Sequence, residues 1–141
     1  NVNITWDKTK QQSNFLKHGL DFDHAYEVLS SRYCLNLPIY KMGEQRVISF
    51  SYVLSHLCVL ALVHNQRHGQ IRLISFRKAS TEETISYFGG SSSNVLSKLE
   101  VLEKIRQIHP SQFYVWDGQD LDDKPLTAEQ LAAKPCKNDQ S

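Results

Sequence analysis

The sequence lacks the patterns by which several large classes of protein are recognised. Its 141 residues contain no glycine-rich phosphate loop, no G-x-S-x-G serine motif and no cysteine or histidine spacing typical of zinc. No apolar run approaches the roughly 18 residues that a membrane span needs. The first residues also lack the cationic and apolar regions of a signal peptide. We therefore expect neither a membrane partner nor a metal or other cofactor.

Cysteine is scarce as well. The chain has Cys34, Cys58 and Cys136, far apart in sequence, and Cys58 lies inside an apolar run that predicts a buried side chain. An odd and scattered set is typical of reduced thiols, so the sequence predicts a cytoplasmic protein.

Charge is small in total but unevenly divided. Residues 1–88 hold 10 Lys and Arg against 7 Asp and Glu, whereas residues 89–141 hold 6 against 8. Apolar residues make up 40% of the chain, which is enough for a hydrophobic core. A basic first part and an acidic last part permit the two to pair with each other.

Residues 1–88 have the pattern of one α+β domain. Asp7 and Gly19 cap a helix, Asp21 begins a second one, and Pro38 restricts its strand to the edge of a sheet. The predicted elements are a strand at 4–6, helices at 8–17 and after residue 21, strands at 33–39, 45–53, 57–64 and 71–79, and a helix at 81–88. Short turns between the last four strands predict an antiparallel meander.

A tail follows the predicted linker 89–93, which is Gly-Gly-Ser-Ser-Ser and is either natural or an engineered join. The tail pattern predicts a helix at 95–108, a strand-like run at 113–116, an acidic loop with four aspartates at 117–123, and a capped helix from Thr127. This C-terminal helix and extended tail (94–141) is too small to form a core alone. It must cover the first domain of the same chain or of another copy, which would make a homodimer.

The strand Ile71–Ala79 combines apolar residues with Arg72, Arg77 and Lys78. Its cations either lie in solvent at an edge or present donors to phosphates, which suit the planar guanidinium group. Strict alternation puts Arg72 and Arg77 on opposite faces, so both reach one site only if the strand bends, bulges or ends near Ser75–Arg77.

Cations and histidines form the remaining chemical set of the chain. Its members are Lys10, Lys17, His18, Arg46, His64, Arg67, Arg72, Arg77 and Lys78. Such a set fits phosphodiester cleavage without a metal, because cations stabilise the charge that grows on the phosphate oxygens. With RNA the 2′-hydroxyl supplies the nucleophile. Each residue also has a structural interpretation: a helix C-terminus for His18, a solvated helix face for Lys10 and Lys17, and the core for His64.

Two groups of motifs resemble the BrnT family of bacterial toxins over about residues 3–88. The first is Trp6-Asp7-Lys8-Thr9-Lys10, Asn14, Lys17-His18-Gly19-Leu20, Phe22 and Ala25. The second is Glu44-x-Arg46 and Ile71-Arg72-Leu73-Ile74-Ser75-Phe76-Arg77-Lys78-Ala79, followed by Glu83 and Tyr87. Lys8 departs from the family, which usually has proline there, and this changes only how the first helix begins.

The resemblance implies a RelE-like α+β fold, an antiparallel sheet with packed helices. It implies a ribonuclease that blocks translation by cutting RNA and is neutralised by an antitoxin. The implied catalytic candidates are Lys17, His18, Glu44, Arg46, Arg72 and Arg77. Arg72 and Arg77 would bind phosphate, Glu44 or His18 would transfer protons, and Lys17 would help electrostatically. The RNA-binding candidates are Lys10, Arg67, Lys78 and Tyr87.

The tail has a resemblance of its own. Asp122-Asp123-Lys124-Pro125-Leu126-Thr127 and the helix after it are similar to the N-terminal part of antitoxins from such modules, without a ribbon-helix-helix segment. We expect the tail to be an antitoxin fragment whose acidic loop lies against the cationic site, within the chain or between copies. A non-catalytic RNA-binding or protein-interaction module, or a regulatory subunit whose tail recruits a partner, is the alternative.

Overall fold

One five-stranded mixed sheet organises the computed structural model, which describes residues 3–90 and 98–132. The strands are β1 (Asn3–Thr5), β2 (Leu35–Lys41), β3 (Glu44–Val53), β4 (Cys58–Arg67) and β5 (Gln70–Lys78), in the sheet order β1-β5-β4-β3-β2. The helices are α1 (Lys8–His18), α2 (Tyr26–Leu29), α3 (Thr81–Gly90), α4 (Lys98–Arg106) and α5 (Ala128–Leu131). The predicted α+β class is confirmed. None of the helices in the described ranges is long and apolar enough to span a membrane.

The predicted meander is present in β2 to β5, which pair antiparallel in sequence order. The first strand departs from the predicted antiparallel sheet, because β1 pairs parallel to β5 with Asn3 beside Gln70. No hairpin joins β1 to β5, because α1 and strands β2 to β4 lie between them in the sequence. The antiparallel direction that a hairpin imposes on its two strands therefore does not apply to this pair. The edge position predicted from Pro38 is correct, since β2 is the last strand of the sheet.

Two local predictions fail. Asp21 does cap a helical turn, but that turn is the short 3-10 helix Phe22–His24, and α2 begins only at Tyr26. Residues 113–116 form no strand. Tyr114 N–H donates to the carbonyl of Ala79 at 2.9 Å, and one such bond does not make a ladder.

The sheet buries both faces. Central strand β4 sends Val59, Ala61 and Val63 into one core cluster, and Leu60 and Leu62 into the other. This matches its continuous apolar sequence, which is typical of a strand covered on both sides. The cationic side chains described below lie at the end of the sheet face that carries Val59, Ala61 and Val63.

A bulge in β5 changes which side chains share a face. Ser75 pairs with Val63 and Leu73 pairs with His64, so Ile74 is an extra residue without a partner in β4. As a result Leu73 and Phe76 pack in the same cluster, although they are three residues apart, and Ile74 packs in the other. Arg72 and Arg77 therefore project from the same face, as the sequence required for a shared site.

Asn14 fixes α1 against the edge of β5. Its side-chain amide donates to Phe76 O at 2.8 Å and accepts from Phe76 N at 3.0 Å, and the residue is 3% exposed. At Phe76, which lies beyond the part of β5 that pairs with β1, Asn14 thus takes the place of a strand partner. Lys10, Lys17 and His18 stand four residues before, three after and four after Asn14, so the same helix face carries them to this edge.

His64 lies in a buried polar network on β4. Ser49 Oγ donates to Asn36 Oδ1 and lies 2.8 Å from His64 Nε2, so the Nε2–H of the imidazole donates to Ser49. Burial lowers the pKa of His64 from 6.5 to about 4. His64 is therefore a core residue, which was one of the two interpretations that its sequence position allowed.

We expect His64 to make the free energy of unfolding depend on pH. Between pH 6.5 and about 4 the unfolded chain binds a proton that the folded chain does not, so stability rises with pH through this window. The loss on going from neutral pH to the lower part of the window is about 2–3 kcal/mol. Urea unfolding of the wild type and of His64→Gln, at neutral pH and in the lower part of this pH window, measures the loss of stability. An equal pH dependence in the two chains would exclude this role.

The tail packs on the domain within the same chain. Ile108 and Leu126 are 6% and 4% exposed and join the two core clusters. Helix α3 continues through Gly89 and Gly90, so the first two residues of the predicted linker are helical, and residues 91–93 lie outside the described ranges. The described part of the predicted helix 95–108 is α4, and its residues 95–97 also lie outside.

Candidate active site

A cationic site lies where α1, β3 and β5 meet, and an acidic loop from the tail occupies it. We define the cationic site as Lys10, Lys17, His18, Arg46, Arg72 and Ser75. The acidic loop is residues 120–123, most of which form a short 3-10 helix, Leu121–Asp123. Asp120 caps that helix by accepting from Asp122 N, which aims the following carboxylates toward the sheet.

Asp123 reaches deepest into the site and is 3% exposed. Its carboxylate accepts from Lys17 Nζ at 2.8 Å and from Ser75 Oγ at 2.7 Å, and lies 3.1 Å from His18 Nε2. Burial alone would raise the pKa of Asp123, but the contacts with His18, Lys17 and Ser75 outweigh it and hold the pKa below its usual range. The pocket is thus built to keep an anion charged.

Asp122 and Asp120 occupy neighbouring positions. Asp122 accepts from Lys10 Nζ at 2.7 Å and from Arg46 Nη1 at 2.8 Å, and Asp120 accepts from Lys17 Nζ at 2.8 Å. Burial lowers the pKa of Lys17, but the hydrogen bonds and charges of Asp120 and Asp123 outweigh that effect and raise it above its ordinary value. The carboxylates of the consecutive residues Asp122 and Asp123 therefore accept hydrogen bonds from separate groups of donors.

Arg72 is the cation that the acidic loop leaves open. Its guanidinium is exposed and makes no hydrogen bond or ion pair with any residue of the described ranges 3–90 and 98–132. It lines a polar cleft with Lys10, Glu44, Arg46 and Asp122. An anion can reach it without displacing the tail.

Arg77 is in a different situation, although the bulge brings it to the same face. It is 0% exposed, and its two terminal nitrogens donate to the two oxygens of Glu83 at 2.8 and 3.0 Å. Nη1 also donates to Lys78 O at 3.0 Å. The donors that the sequence assigned to phosphate are occupied by the protein itself. Ser80 and Glu83 form a capping box at the start of α3, since each backbone N–H of the pair donates to the other side chain, and this places an acid beside the end of β5.

The other predicted residues are divided between site and core. Glu44 accepts from Arg46 Nε at 2.7 Å and from Asn65 Nδ2, so it orients Arg46. Arg67 is mostly exposed, 3.6 Å from Glu44. Lys78 projects from the face opposite to Arg77, and Tyr87 is buried, where its hydroxyl donates to Tyr33 O and accepts from Tyr52 N. The structure therefore does not bring Lys78 or Tyr87 to the acidic loop.

Sequence reasoning missed Ser75 and Tyr114 as functional candidates. Ser75 lies inside the Ile71–Ala79 motif, but a serine among apolar residues gives no chemical signal until the bulge turns it toward the site. Tyr114 contacts both His18 and Arg77, with its ring centroid 5.3 Å from the imidazole centroid and 5.3 Å from the guanidinium carbon. Only the folding of the tail onto the domain shows this contact.

Fold and site together define an α+β protein with a sheet face that holds several anionic groups in a row, which is typical of a polyanion-binding protein. Residues 6–83 match the family model of BrnT, the ribonuclease toxin of type II toxin-antitoxin systems. The match covers more than half of the sequence, and the chain belongs to the BrnT family of ribonuclease toxins. RNA is accordingly its target and an antitoxin its partner. No curated protein matches the chain significantly.

Proposed function

We propose that the cationic site cleaves RNA through attack of the substrate's own 2′-hydroxyl, and that the acidic loop masks this site in the present chain. One observation supports both parts. The Asp123 carboxylate is held by Lys17 and Ser75 and lies beside His18, as a phosphate group would be. Carboxylates and phosphates share the donors that such a pocket offers.

In this scheme Asp123 stands in for the scissile phosphate. Lys17 and Ser75 donate to its non-bridging oxygens, where negative charge grows as the 2′-oxygen attacks phosphorus. His18 Nε2 lies at the anion and is the proton-transfer group: it takes the 2′-hydroxyl proton as the bond from the 2′-oxygen to phosphorus forms, and returns a proton to the 5′-oxygen as its bond to phosphorus breaks, which leaves a 2′,3′-cyclic phosphate. Glu44 is held by Arg46 and Asn65, so it serves as the positioning group for Arg46.

Asp122 stands in for a neighbouring phosphate. Lys10 and Arg46 bind it, and Arg72 lies free in the adjoining cleft for a further one. This row of cations holds the RNA backbone in a fixed register over Lys17 and His18. Cleavage of RNA in the cytoplasm would then block translation.

These contacts also support a proposal for the division of the chain. We propose that residues 1–88 are the toxin domain, 89–93 the linker and 94–141 an antitoxin-like tail. In addition to the acidic loop, Lys41 Nζ donates to Lys124 O at 3.2 Å, and Leu126 N donates to Glu83 at 2.8 Å. The tail docks in cis, and exchange of the same contacts between two copies would give a homodimer.

Removing Lys17 tests the catalytic proposal. In the unmasked chain, defined as the Asp120→Asn/Asp122→Asn/Asp123→Asn variant, we expect Lys17→Met to lower the rate of RNA cleavage about a hundredfold, because a donor to the developing charge is lost. Lys8→Met is the matched control, since Lys8 lies exposed on the same helix.

The measurement is single-turnover cleavage of a labelled RNA, with RNA binding measured in parallel. Loss of cleavage with binding largely kept identifies an enzyme. Equal rates in the Lys17→Met and Lys8→Met chains would remove Lys17 from the site. Binding without cleavage in every chain would favour the non-catalytic RNA-binding module.

A further inference from the structure

The ring of Tyr114 lies between two side chains of the toxin domain. His18 meets it edge to face at 5.3 Å with an interplanar angle of 72°, and the guanidinium carbon of Arg77 lies 5.3 Å from its centroid. We propose that His18 and Arg77 form a stacking subsite for a nucleobase of the RNA substrate, which Tyr114 occupies in this chain. The inference rests on the proposed function, because it places the base beside the phosphate position of Asp123.

Arg77 has the geometry of a stacking surface rather than of an anion ligand. Glu83 holds both terminal nitrogens of its guanidinium, and Lys78 O accepts a further bond. The edge of the group is therefore occupied, and Nε, which is buried, has no hydrogen-bond partner among the described residues. The guanidinium carbon lies over the ring of Tyr114, so this fixed group already has an aromatic ring packed against it.

The position of the ring relative to the anion fits a nucleotide. His18 contacts both the Tyr114 ring and the Asp123 carboxylate. Burial raises the pKa of Tyr114, and the negative charge of Asp123 raises it further, which is consistent with the ring lying close to that carboxylate. In RNA a ribose joins each base to its phosphate. A phosphate at the Asp123 position therefore brings a base near the Tyr114 position.

The chemistry of the subsite suits any base. Aromatic rings stack on guanidinium planes and on histidine, and they gain a cation–π contribution over arginine. Such stacking tolerates all bases, because every base has a π face. Arg77 thereby has a substrate-binding role that does not require its donors, which resolves the conflict between its predicted place in the site and its complete burial.

The first experiment opens the subsite without touching the phosphate position. We expect Tyr114→Ala, in the full chain with its aspartates intact, to bind adenosine at least about fivefold more tightly than Tyr114→Phe does. Tyr114→Phe is the matched control because it keeps the ring in place. Ribose should bind to neither chain, and ligand-observed NMR titration gives the affinities. Equal adenosine binding by the two variants, or none by either, overturns the proposal.

The second experiment uses the substrate. In the unmasked chain that also carries Tyr114→Ala, so that the ring no longer fills the subsite, RNA with an abasic ribose beside the cleaved bond should show a KM at least about fivefold above that of intact RNA. An unchanged KM at every position flanking the bond overturns the subsite. If the unmasked chain cleaves no RNA at all, the proposed function fails, and the adenosine titration still decides the stacking subsite by itself.

Discussion

Replacing Asp120, Asp122 and Asp123 together by asparagine will raise the rate of RNA cleavage by the full chain roughly a thousandfold. Asparagine has nearly the same shape but no charge, so each bond to a carboxylate becomes a weaker bond to a neutral amide, at a loss of about 1 kcal/mol each. Asp123 has two such bonds, from Lys17 and Ser75, and also lies against His18, while Asp122 has two, from Lys10 and Arg46. Asp120 contributes less, because its side chain is 39% exposed and solvent screens its pair with Lys17.

The control for this prediction changes the same net charge elsewhere in the tail. Glu103→Gln/Asp117→Asn/Glu129→Gln removes three exposed carboxylates that do not reach the cationic site. Cleavage by this chain should equal that of wild type. A similar rise in both triple variants would show that general electrostatic attraction of RNA, and not occupation of the site, limits the reaction. Full activity of the wild-type chain would contradict the masking proposal directly.

The second large effect concerns the buried ion pair. We expect Glu83→Gln to lower the free energy of unfolding by about 3–5 kcal/mol, because it leaves the guanidinium of Arg77 buried without its counter-charge. Glu83 is 0% exposed and accepts from Arg77, Ser80 N and Leu126 N. Burial would raise the pKa of Glu83, but the charge and hydrogen bonds of Arg77 lower it below its ordinary value.

Urea unfolding of the full chain measures this loss, with Glu82→Gln as the matched control. Glu82 precedes Glu83 in the first turn of α3 and is exposed, so its replacement should leave stability unchanged. A small effect of Glu83→Gln, equal to that of the control, would mean that Arg77 finds water or another partner. Because Leu126 N also bonds to Glu83, the same substitution should loosen the tail.

Much of the fold follows from local patterns in the sequence. Asp7 and Gly19 bound the first helix because one side chain accepts from Thr9 N and the other residue adopts φ 69°, as capping requires. The unbroken apolar run of β4 predicts burial on both faces, and Pro38 predicts an edge strand. Each of these signals depends on residues close together in the chain, which is why it can be read without the tertiary structure.

The candidate site was predicted only as a set of residue types. The structure brings Lys17, His18, Arg46 and Arg72 near one another, since α1, β3 and β5 converge there. Their roles could not be assigned, because these depend on partners far away in sequence. Lys17 meets Asp120 and Asp123 more than a hundred residues later, and Arg46 meets Asp122.

By itself the sequence determined the family, the α+β class, the order of the elements and the cationic character of β5. Only the tertiary structure decided which cations meet the acidic loop and which stay exposed. The bulge at Ile74 shifts the strand by one residue, which moves Ser75 and Arg77 to the face of Arg72, because side chains alternate with a period of two. Glu83 then occupies the donors of Arg77, while Arg72 stays exposed. Strand β5 is therefore both part of the core and one wall of the site, and contacts with residues distant in sequence decide which of these two roles each of its residues has.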